Sequence, residues 1–285
     1  MTLQIQHNKI PLKTQRCVVI TGGTRGIGLG LAQAFLRLGW SVVISGRDAT
    51  QLQTAVQQLQ QQQGRNCIWG QCCDVTQSEQ LQHLWQSALD QFSRVDVWIN
   101  NAGTCNPAHA FAELTPQDLQ QVVQTNLLGT MLGAQVALKG MLKQGFGQIF
   151  NMEGWGSHGE WSAGMTPYAT TKRAVNYFSH ALYKETRHTP IQVGVLSPGM
   201  VVTDLLISSW QQGDAKNWHK MKWLFMFVID PPELVCQYLA QQVSENRKTR
   251  AKIVWMTPWR LALRFLQPHY WRRNPVKGTA LEHFK

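Results

Sequence analysis

The chain has 285 residues, 44% of them hydrophobic and 15% charged, a balance that supports a sizeable core and excludes a wholly disordered chain. Its net charge of +11 is unevenly placed: residues 246–285 hold ten Lys/Arg against Glu282 alone, whereas residues 1–245 hold 17 against 15. The basicity belongs to a tail, and with no recognition motif beside it nucleic-acid binding is not expected. Six cysteines (Cys17, Cys67, Cys72, Cys73, Cys105 and Cys236) show no Cys-x-x-Cys or zinc spacing, so reduced thiols and no metal are expected. Met1 to Arg16 is polar and lacks the apolar stretch of a signal peptide, and the longest apolar run, Trp223–Ile229, is too short to span a bilayer. A cytoplasmic protein is expected.

Arg16–Thr21 reads as a buried strand, followed by glycines and then by the periodic helix Ile27–Leu38, ended by Gly39. Ser41–Ser45 is a second strand and Thr50–Gln63 a glutamine-rich helix. Asn66–Gln71, Val95–Ile99, Gln148–Met152 and Ile191–Leu196 are further strands, and Gln77–Phe92 is a third helix. Pro116–Lys143 reads as one long helix with Thr115 as its N-cap, and Thr166–Arg187 as another. Lys252–Met256 is a candidate edge strand. This alternation predicts an α/β fold: a Rossmann-type, doubly wound parallel sheet of six to seven strands with helices on both faces. With no repeat and no linker, residues 1–256 are expected to form a single domain and 257–285 a C-terminal extension.

The segment Thr21-Gly22-Gly23-Thr24-Arg25-Gly26-Ile27-Gly28 lies between a strand and a helix, the context in which glycines bring backbone close to a pyrophosphate and a helix N-terminus attracts it. Gly22, Thr24, Arg25, Gly26, Ile27 and Gly28 are therefore candidate nucleotide contacts. The second strand ends in Ser45-Gly46-Arg47, with no acid for a ribose hydroxyl. Arg47, helped by Arg25, instead suits a 2′-phosphate, which favours NADP(H) over NAD(H). Asp74 is placed at the adenine edge with Val75 packed beside it, and Asn101, Ala102 and Gly103 let backbone pass close to the adenosine ribose.

Tyr168 and Lys172 stand four residues apart, on one helical face. A free tyrosine has a pKa near 10, and a neighbouring ammonium is expected to lower it, making the pair a proton donor to or acceptor from an oxygen. The glycine loop says where a nucleotide sits, and this pair says what is done beside it: hydride exchange between a nicotinamide and a carbonyl or alcohol.

Together with Asp74, Asn100–Gly103, Asn126 and Pro198-Gly199 with Thr203, these motifs resemble the short-chain dehydrogenase/reductase family over roughly residues 15–205. The resemblance implies an NAD(P)-dependent oxidoreductase, usually a dimer or tetramer, so a homo-oligomer is expected. It also implies that Asn126 holds a relay water for Lys172 and that Pro198, Gly199, Val201 and Thr203 border the cofactor. The family's catalytic serine is not in its usual place, because positions 154 to 156 are Gly, Trp and Gly. Ser157 is the nearest hydroxyl; otherwise backbone N–H groups of this turn would serve.

Asn151-Met152-Glu153-Gly154-Trp155-Gly156-Ser157 resembles more narrowly the chlorophyll(ide) b reductases, which carry Asn-Met-Asp-Gly-x-Gly-Ser there and reduce a chlorin formyl group with NADPH. The region of about 203–230, where this family builds a substrate lid, holds Trp210, Trp218, Met221, Trp223, Leu224, Phe225, Met226 and Phe227. That payload suits a bulky hydrophobic ligand, a subunit interface or a satellite core. The extension pairs Thr257-Pro258, a helix start, with Arg260, Arg264, Tyr270, Trp271, Arg272 and Arg273. It reads either as a peripheral contact to an anionic membrane or as a helix docked on the body. Three functional readings remain: a formyl-chlorin reductase, an oxidoreductase for another large apolar carbonyl or alcohol, and a nucleotide-binding scaffold without turnover.

Overall fold

The strands of the main sheet are short apolar runs, the pattern a parallel sheet needs when helices cover both its faces. The computed structural model describes residues 15–63, 67–203 and 226–274. In chain order it contains β1 (Cys17–Ile20), α1 (Gly26–Arg37), β2 (Ser41–Gly46), α2 (Ala49–Gln63), β3 (Ile68–Cys72), α3 (Ser78–Phe92) and β4 (Val97–Asn100). Next come α4 (Pro116–Val123), α5 (Gly129–Gln144), β5 (Gly147–Met152), α6 (Thr166–Thr186) and β6 (Ile191–Ser197). The last elements are the short strands β7 (Met200–Val201) and β8 (Ile229–Asp230), then α7 (Pro232–Glu245), β9 (Ala251–Val254) and α8 (Pro258–Phe265).

Seven parallel strands pair in the order β3-β2-β1-β4-β5-β6-β9, so the expected Rossmann-type sheet is present. The order reverses between β1 and β4, which opens a crevice at the carboxyl ends of these strands. Period-two alternation sends Val18 and Ile20 to one face and Cys17 and Val19 to the other. The first pair packs with Leu31 and Phe35 of α1 and with Val235 and Leu239 of α7. The second packs with Leu81 and Trp85 of α3, Met141 of α5 and Leu182 of α6. α1 and α7 approach so closely that a Cβ on Gly30 would lie 2.8 Å from the Cys236 sulfur.

The long helix expected over Pro116–Lys143 is interrupted. A π-helical turn, Gln124–Leu128, separates α4 from α5, and the extra residue of such a wide turn shifts the face presented by what precedes it. Thr115 caps α4 through a reciprocal capping box with Asp118. The final edge strand is Ala251–Val254 rather than Lys252–Met256.

α8 starts at the Thr257-Pro258 signal, with the Thr257 hydroxyl accepting from the Arg260 N–H. Its arginines turn inward. Arg264 is 3% exposed and donates to Asp230 at 2.7 Å and to the Phe227 carbonyl at 2.7 Å. Arg273 donates to the other Asp230 oxygen at 2.9 Å and to the Ile229 carbonyl, and Trp255 Nε1 donates to Asp230 at 2.7 Å. Phe265 stacks on Phe227, and Trp271 meets the same ring edge-on. The docked-helix alternative accounts for these contacts. Trp210, Trp218, Met221, Trp223, Leu224 and Phe225 lie outside the described residues.

Asp230 is fully buried between two guanidinium groups. Replacing it removes the only acid bonded to Arg264 among the described residues and leaves a buried cation unpaired, which costs about 3–5 kcal/mol. Asp230→Asn should therefore lower unfolding free energy in urea by about that amount; a loss below about 1 kcal/mol would mean that solvent reaches the pair.

Candidate active site

The glycine loop caps β1 and leads into α1. Gly22 and Gly26 adopt φ of 64° and 55°, left-handed values that glycine takes without penalty. A Cβ on Gly28 would lie 2.2 Å from the Gly22 carbonyl oxygen, so the loop folds on itself only with glycine there. α1 begins after an extended Arg25, with no side-chain cap and no acid in its first turn, leaving its N–H groups and positive end for an anion. The Thr21 hydroxyl accepts from the N–H groups of Asn101 and Ala102, and the Asn101 amide donates to the Thr21 and Gly22 carbonyls. Asn101 thus holds the loop in shape rather than projecting from it. This cradle, which Cβ atoms would fill, fits a dinucleotide.

A cavity of about 1450 Å³ runs from this loop across the sheet. Thr24, Arg25, Ile27, Arg47, Asp74, Val75, Asn101, Ala102 and Gly103 line it, as do Pro198, Gly199, Val201 and Thr203, and Thr203 comes close to the glycine loop, its Cγ2 3.4 Å from where a Gly26 Cβ would stand. Asp74 accepts from the Thr76 N–H and hydroxyl at 2.9 Å. Asp48, beside Arg47, accepts from the Gln51 N–H at the start of α2. Trp155, Trp161, Met165, Met200 and His109 also line the cavity.

Tyr168 and Lys172 enter this cavity from α6, one turn apart. The Asn106 side chain accepts from the Tyr168 N–H at 3.2 Å and donates to the Pro107 and Gly164 carbonyls, fixing where α6 starts. Lys172 Nζ donates to the Met152 carbonyl at 3.0 Å and lies 5.8 Å from the Tyr168 ring centroid. The π turn presents Asn126, fully buried, to Thr104 and Thr171. Its Oδ1 accepts from the Thr104 N–H, and its Nδ2 donates to the Thr104 carbonyl and the Thr171 hydroxyl, which in turn donates to the Tyr168 carbonyl. Asn126 therefore ties α4 and α5 to the Tyr168 turn, and its own carbonyl accepts from the Thr130 hydroxyl.

Ser157 is brought near this pair, but its hydroxyl faces the loop. It accepts from the Gly154 N–H at 3.1 Å and donates to the Lys172 carbonyl at 3.3 Å, and it is not among the residues lining the cavity. Gly154 is the residue that meets the phenol: a Cβ there would lie 2.4 Å from Tyr168 Oη and 3.2 Å from Lys172 Cε.

The electrostatics differ from the expectation in one respect. Burial, aided by the thiol of Cys105, pushes the Tyr168 phenol above its ordinary range, so the acidified phenol expected from the spacing is not what these contacts give. The cause is the loss of water around the buried phenol, and Lys172, whose Nζ donates to the Met152 carbonyl, does not offset it. Lys172 itself is lowered to about 8 by burial, with Glu153 pulling the other way.

Several site residues carried no signal in the sequence. Asn106, Thr171, Asn176 and His158 fall outside any motif. Thr171, three residues after Tyr168, and Asn176, four after Lys172, have spacings that place them on the same helical face.

A family model for short chain dehydrogenases matches residues 16–214. The chain belongs to the short-chain dehydrogenase family. It is an NAD(P)-dependent oxidoreductase. Chlorophyll(ide) b reductase NOL, a chloroplastic protein of Arabidopsis thaliana, is 38% identical over 248 residues, 84% of this chain and 68% of that protein. The probable chlorophyll(ide) b reductase NYC1 of Oryza sativa subsp. japonica, also chloroplastic, is 33% identical over 264 residues, 87% of this chain but only 51% of that relative's length. Actinorhodin polyketide ketoreductase, solved with NADPH, superposes with a TM-score of 0.75 at 26% identity over 85% of this chain and 95% of that one. Short-chain dehydrogenases act on small molecules and typically form oligomers. Among the described residues, no helix is long and apolar enough to cross a membrane.

Within this short-chain dehydrogenase, Gly154→Ala forces the phenol aside while leaving the glycine loop intact. Turnover should fall by about 10²-fold, the penalty for roughly an ångström of misplacement, with the dissociation constant of the nicotinamide cofactor unchanged. Equal losses in both would mean that the substitution disturbs the whole crevice.

Proposed function

We propose that the protein is an NADPH-dependent carbonyl reductase for a bulky apolar substrate, with the formyl group of chlorophyll(ide) b as that substrate. The observation that carries this reading is that Tyr168 and Lys172 line one cavity together with the glycine-loop cradle and with Trp155, Trp161, Met165 and Met200. Aromatic faces of this kind suit a flat conjugated macrocycle. The two chlorophyll(ide) b reductases matched over more than four-fifths of the chain support the choice of pigment.

Gly22, Gly26 and Gly28 would receive the pyrophosphate at the start of α1, with Thr24 and Ile27 beside it. Arg25 and Arg47 would face a 2′-phosphate, since Asp48 is engaged at the helix start and no other acid closes β2. Asp74 and Val75 would border the adenine, Ala102 and Gly103 the ribose, and Pro198, Gly199, Val201 and Thr203 the nicotinamide end. A bound reduced nicotinamide supplies the hydride. Tyr168 Oη, held protonated by its burial, gives its proton to the carbonyl oxygen, and Lys172 stabilises the phenolate left behind. Asn126 positions the Tyr168 turn through Thr171 and supports a relay to Lys172. Ser157 acts by shaping the Gly154 turn, whose backbone stands beside the reacting oxygen.

The extension offers a membrane contact in the same reading. With Arg264 turned inward, α8 leaves Trp259 73% exposed and Leu266 78% exposed, with Leu263 beside them and Arg272 exposed nearby. An apolar face flanked by cations suits an anionic lipid surface, where such a pigment would be encountered. Trp259→Ser with Leu266→Ser should abolish flotation with anionic vesicles without touching the Asp230 pairing; unchanged flotation would remove the contact.

The main test is reduction of solubilised chlorophyllide b by NADPH, followed by the shift in its absorption bands. Tyr168→Phe should lower turnover by at least about 10²-fold. Reduction of other carbonyls but not of the formyl-chlorin would refute the substrate, and NADPH binding without any carbonyl reduced would refute the enzyme. Arg47→Asp should weaken NADPH about 10–100-fold, the worth of a charge-assisted hydrogen bond, and leave NADH nearly unaffected. In wild type the rate should fall as pH rises past about 8, where Lys172 loses its proton. A rate that keeps rising through that range would contradict the role given to the ammonium.

A further inference from the structure

Glu153 is 1% exposed and stands at the end of β5, between the Met152 carbonyl that holds Lys172 and the Gly154 turn that touches Tyr168. Isolating a carboxylate from water is expensive unless a cation and hydrogen-bond donors compensate it. Asn176, one turn beyond Lys172 on α6, donates to Oε1 at 2.6 Å, and the His158 ring approaches Oε2 at 3.2 Å. Neither is a permanent cation. Lys172, which donates to the carbonyl of Met152 immediately before Glu153 and sits one helical turn from Asn176, is the ammonium held at the same strand end, and Glu153 opposes the burial that drives it toward neutrality.

The loop after Glu153 is built to bring His158 back over it. Glu160 Oε2 accepts from the Gly156 and His158 N–H groups at 3.0 Å each, Ser157 Oγ bridges Gly154 to the Lys172 carbonyl, and Arg173 donates to the Ser157 carbonyl at 3.0 Å. The charged and titratable groups around the pair are therefore Tyr168, Lys172 and Arg173 from α6, His158 and Glu160 from the loop, and Cys105 on the opposite wall. The His158 side chain is 37% exposed, so the buried carboxylate has one partner that reaches water.

From this arrangement we infer that Glu153 is a positioning residue for catalysis: its buried carboxylate, oriented by Asn176 and His158, is the counter-ion that keeps Lys172 an ammonium beneath Tyr168. The inference rests on the reductase reading for its consequence in turnover but not for its test. A carboxylate at this place does for Lys172 what solvent would do were it exposed, and it does so without admitting water beside the reacting oxygen. Glycine at 154 makes this possible, because its lack of a side chain lets the strand end lie directly against both Tyr168 and Lys172.

The test is an NMR titration of Lys172 in carbon-labelled protein saturated with NADP, assigned with Lys172→Met and needing no substrate. In Glu153→Gln the midpoint should fall by about one pH unit, a tenfold loss of proton affinity, and Glu153→Asp should restore most of it. An unchanged midpoint in a Glu153→Gln protein that still binds NADP overturns the inference. Should that variant not fold, Glu153→Asp decides: drawing the carboxylate back by one methylene should lower the Lys172 midpoint part-way, and an unchanged midpoint there also overturns the inference. Where chlorophyllide b is reduced, the alkaline limb of kcat should move with the Lys172 midpoint. A Lys172 shift in a protein that reduces no chlorin would sink the substrate assignment and leave this inference standing.

Discussion

The end of β5 and the first turns of α6 approach so closely that residue 154 has no room for a side chain: a Cβ would overlap the Tyr168 hydroxyl. Much of the site follows from this contact. With the strand end against the helix, the Met152 carbonyl can hold Lys172, Glu153 can face it, and the turn that follows must fold back through Ser157 and Glu160. What stands beside the phenol is the backbone of Gly154, with the buried Glu153 one residue before it.

Those groups are supported by a second layer that is mainly asparagine. Asn100 accepts from Trp98 Nε1 and donates to Asn151, whose amide donates to Ser179 on α6, tying β4, β5 and α6 together under the cavity. Asn101 holds the glycine loop, Asn106 the start of α6, and Asn126 the Tyr168 turn. An amide both donates and accepts, so each can close a loop or helix end without adding a charge to a buried region. Asn100 and Asn151 also explain Gly133, where a Cβ would lie 2.2 Å from Asn100 Oδ1. The rigidity that positions Tyr168 is paid for by hydrogen bonds rather than by apolar packing alone.

The sheet was legible because each parallel strand is an apolar run and each helix an apolar period, so local pattern and tertiary role coincide. The glycine loop, Tyr168 and Lys172 were legible because their roles depend on spacing within one strand–turn–helix unit or one helix face. The π turn was not, because nothing between Pro116 and Lys143 breaks the helical period; the wide turn is fixed by what Asn126 meets at Thr104 and Thr171, 22 and 45 residues away. For Arg264 of α8 and Arg273 beyond it, the sequence left a membrane contact and a docked helix both open, because their acid is Asp230, 34 and 43 residues earlier, and pattern within the tail holds no trace of it. Gly154 was read as a missing hydroxyl, whereas its meaning lies in the space it leaves.

The two central proton-bearing groups are shifted in opposite senses by the same burial, and this has a chemical direction. Desolvation favours the neutral form of each, so the phenol holds its proton more tightly and the ammonium less tightly than in water. A phenol with its proton in place is the form that donates to a developing alkoxide, whereas removal of a proton from an alcohol would need the phenolate that burial opposes. A cation beside the phenol becomes valuable only once the proton has left, because it then stabilises the anion that remains. Keeping that cation charged in a dry site requires a nearby negative group that does not itself reach the substrate. In the proposed reductase, a carboxylate set one residue behind the contact between strand and helix would meet that requirement and favour delivery of a proton to a carbonyl oxygen.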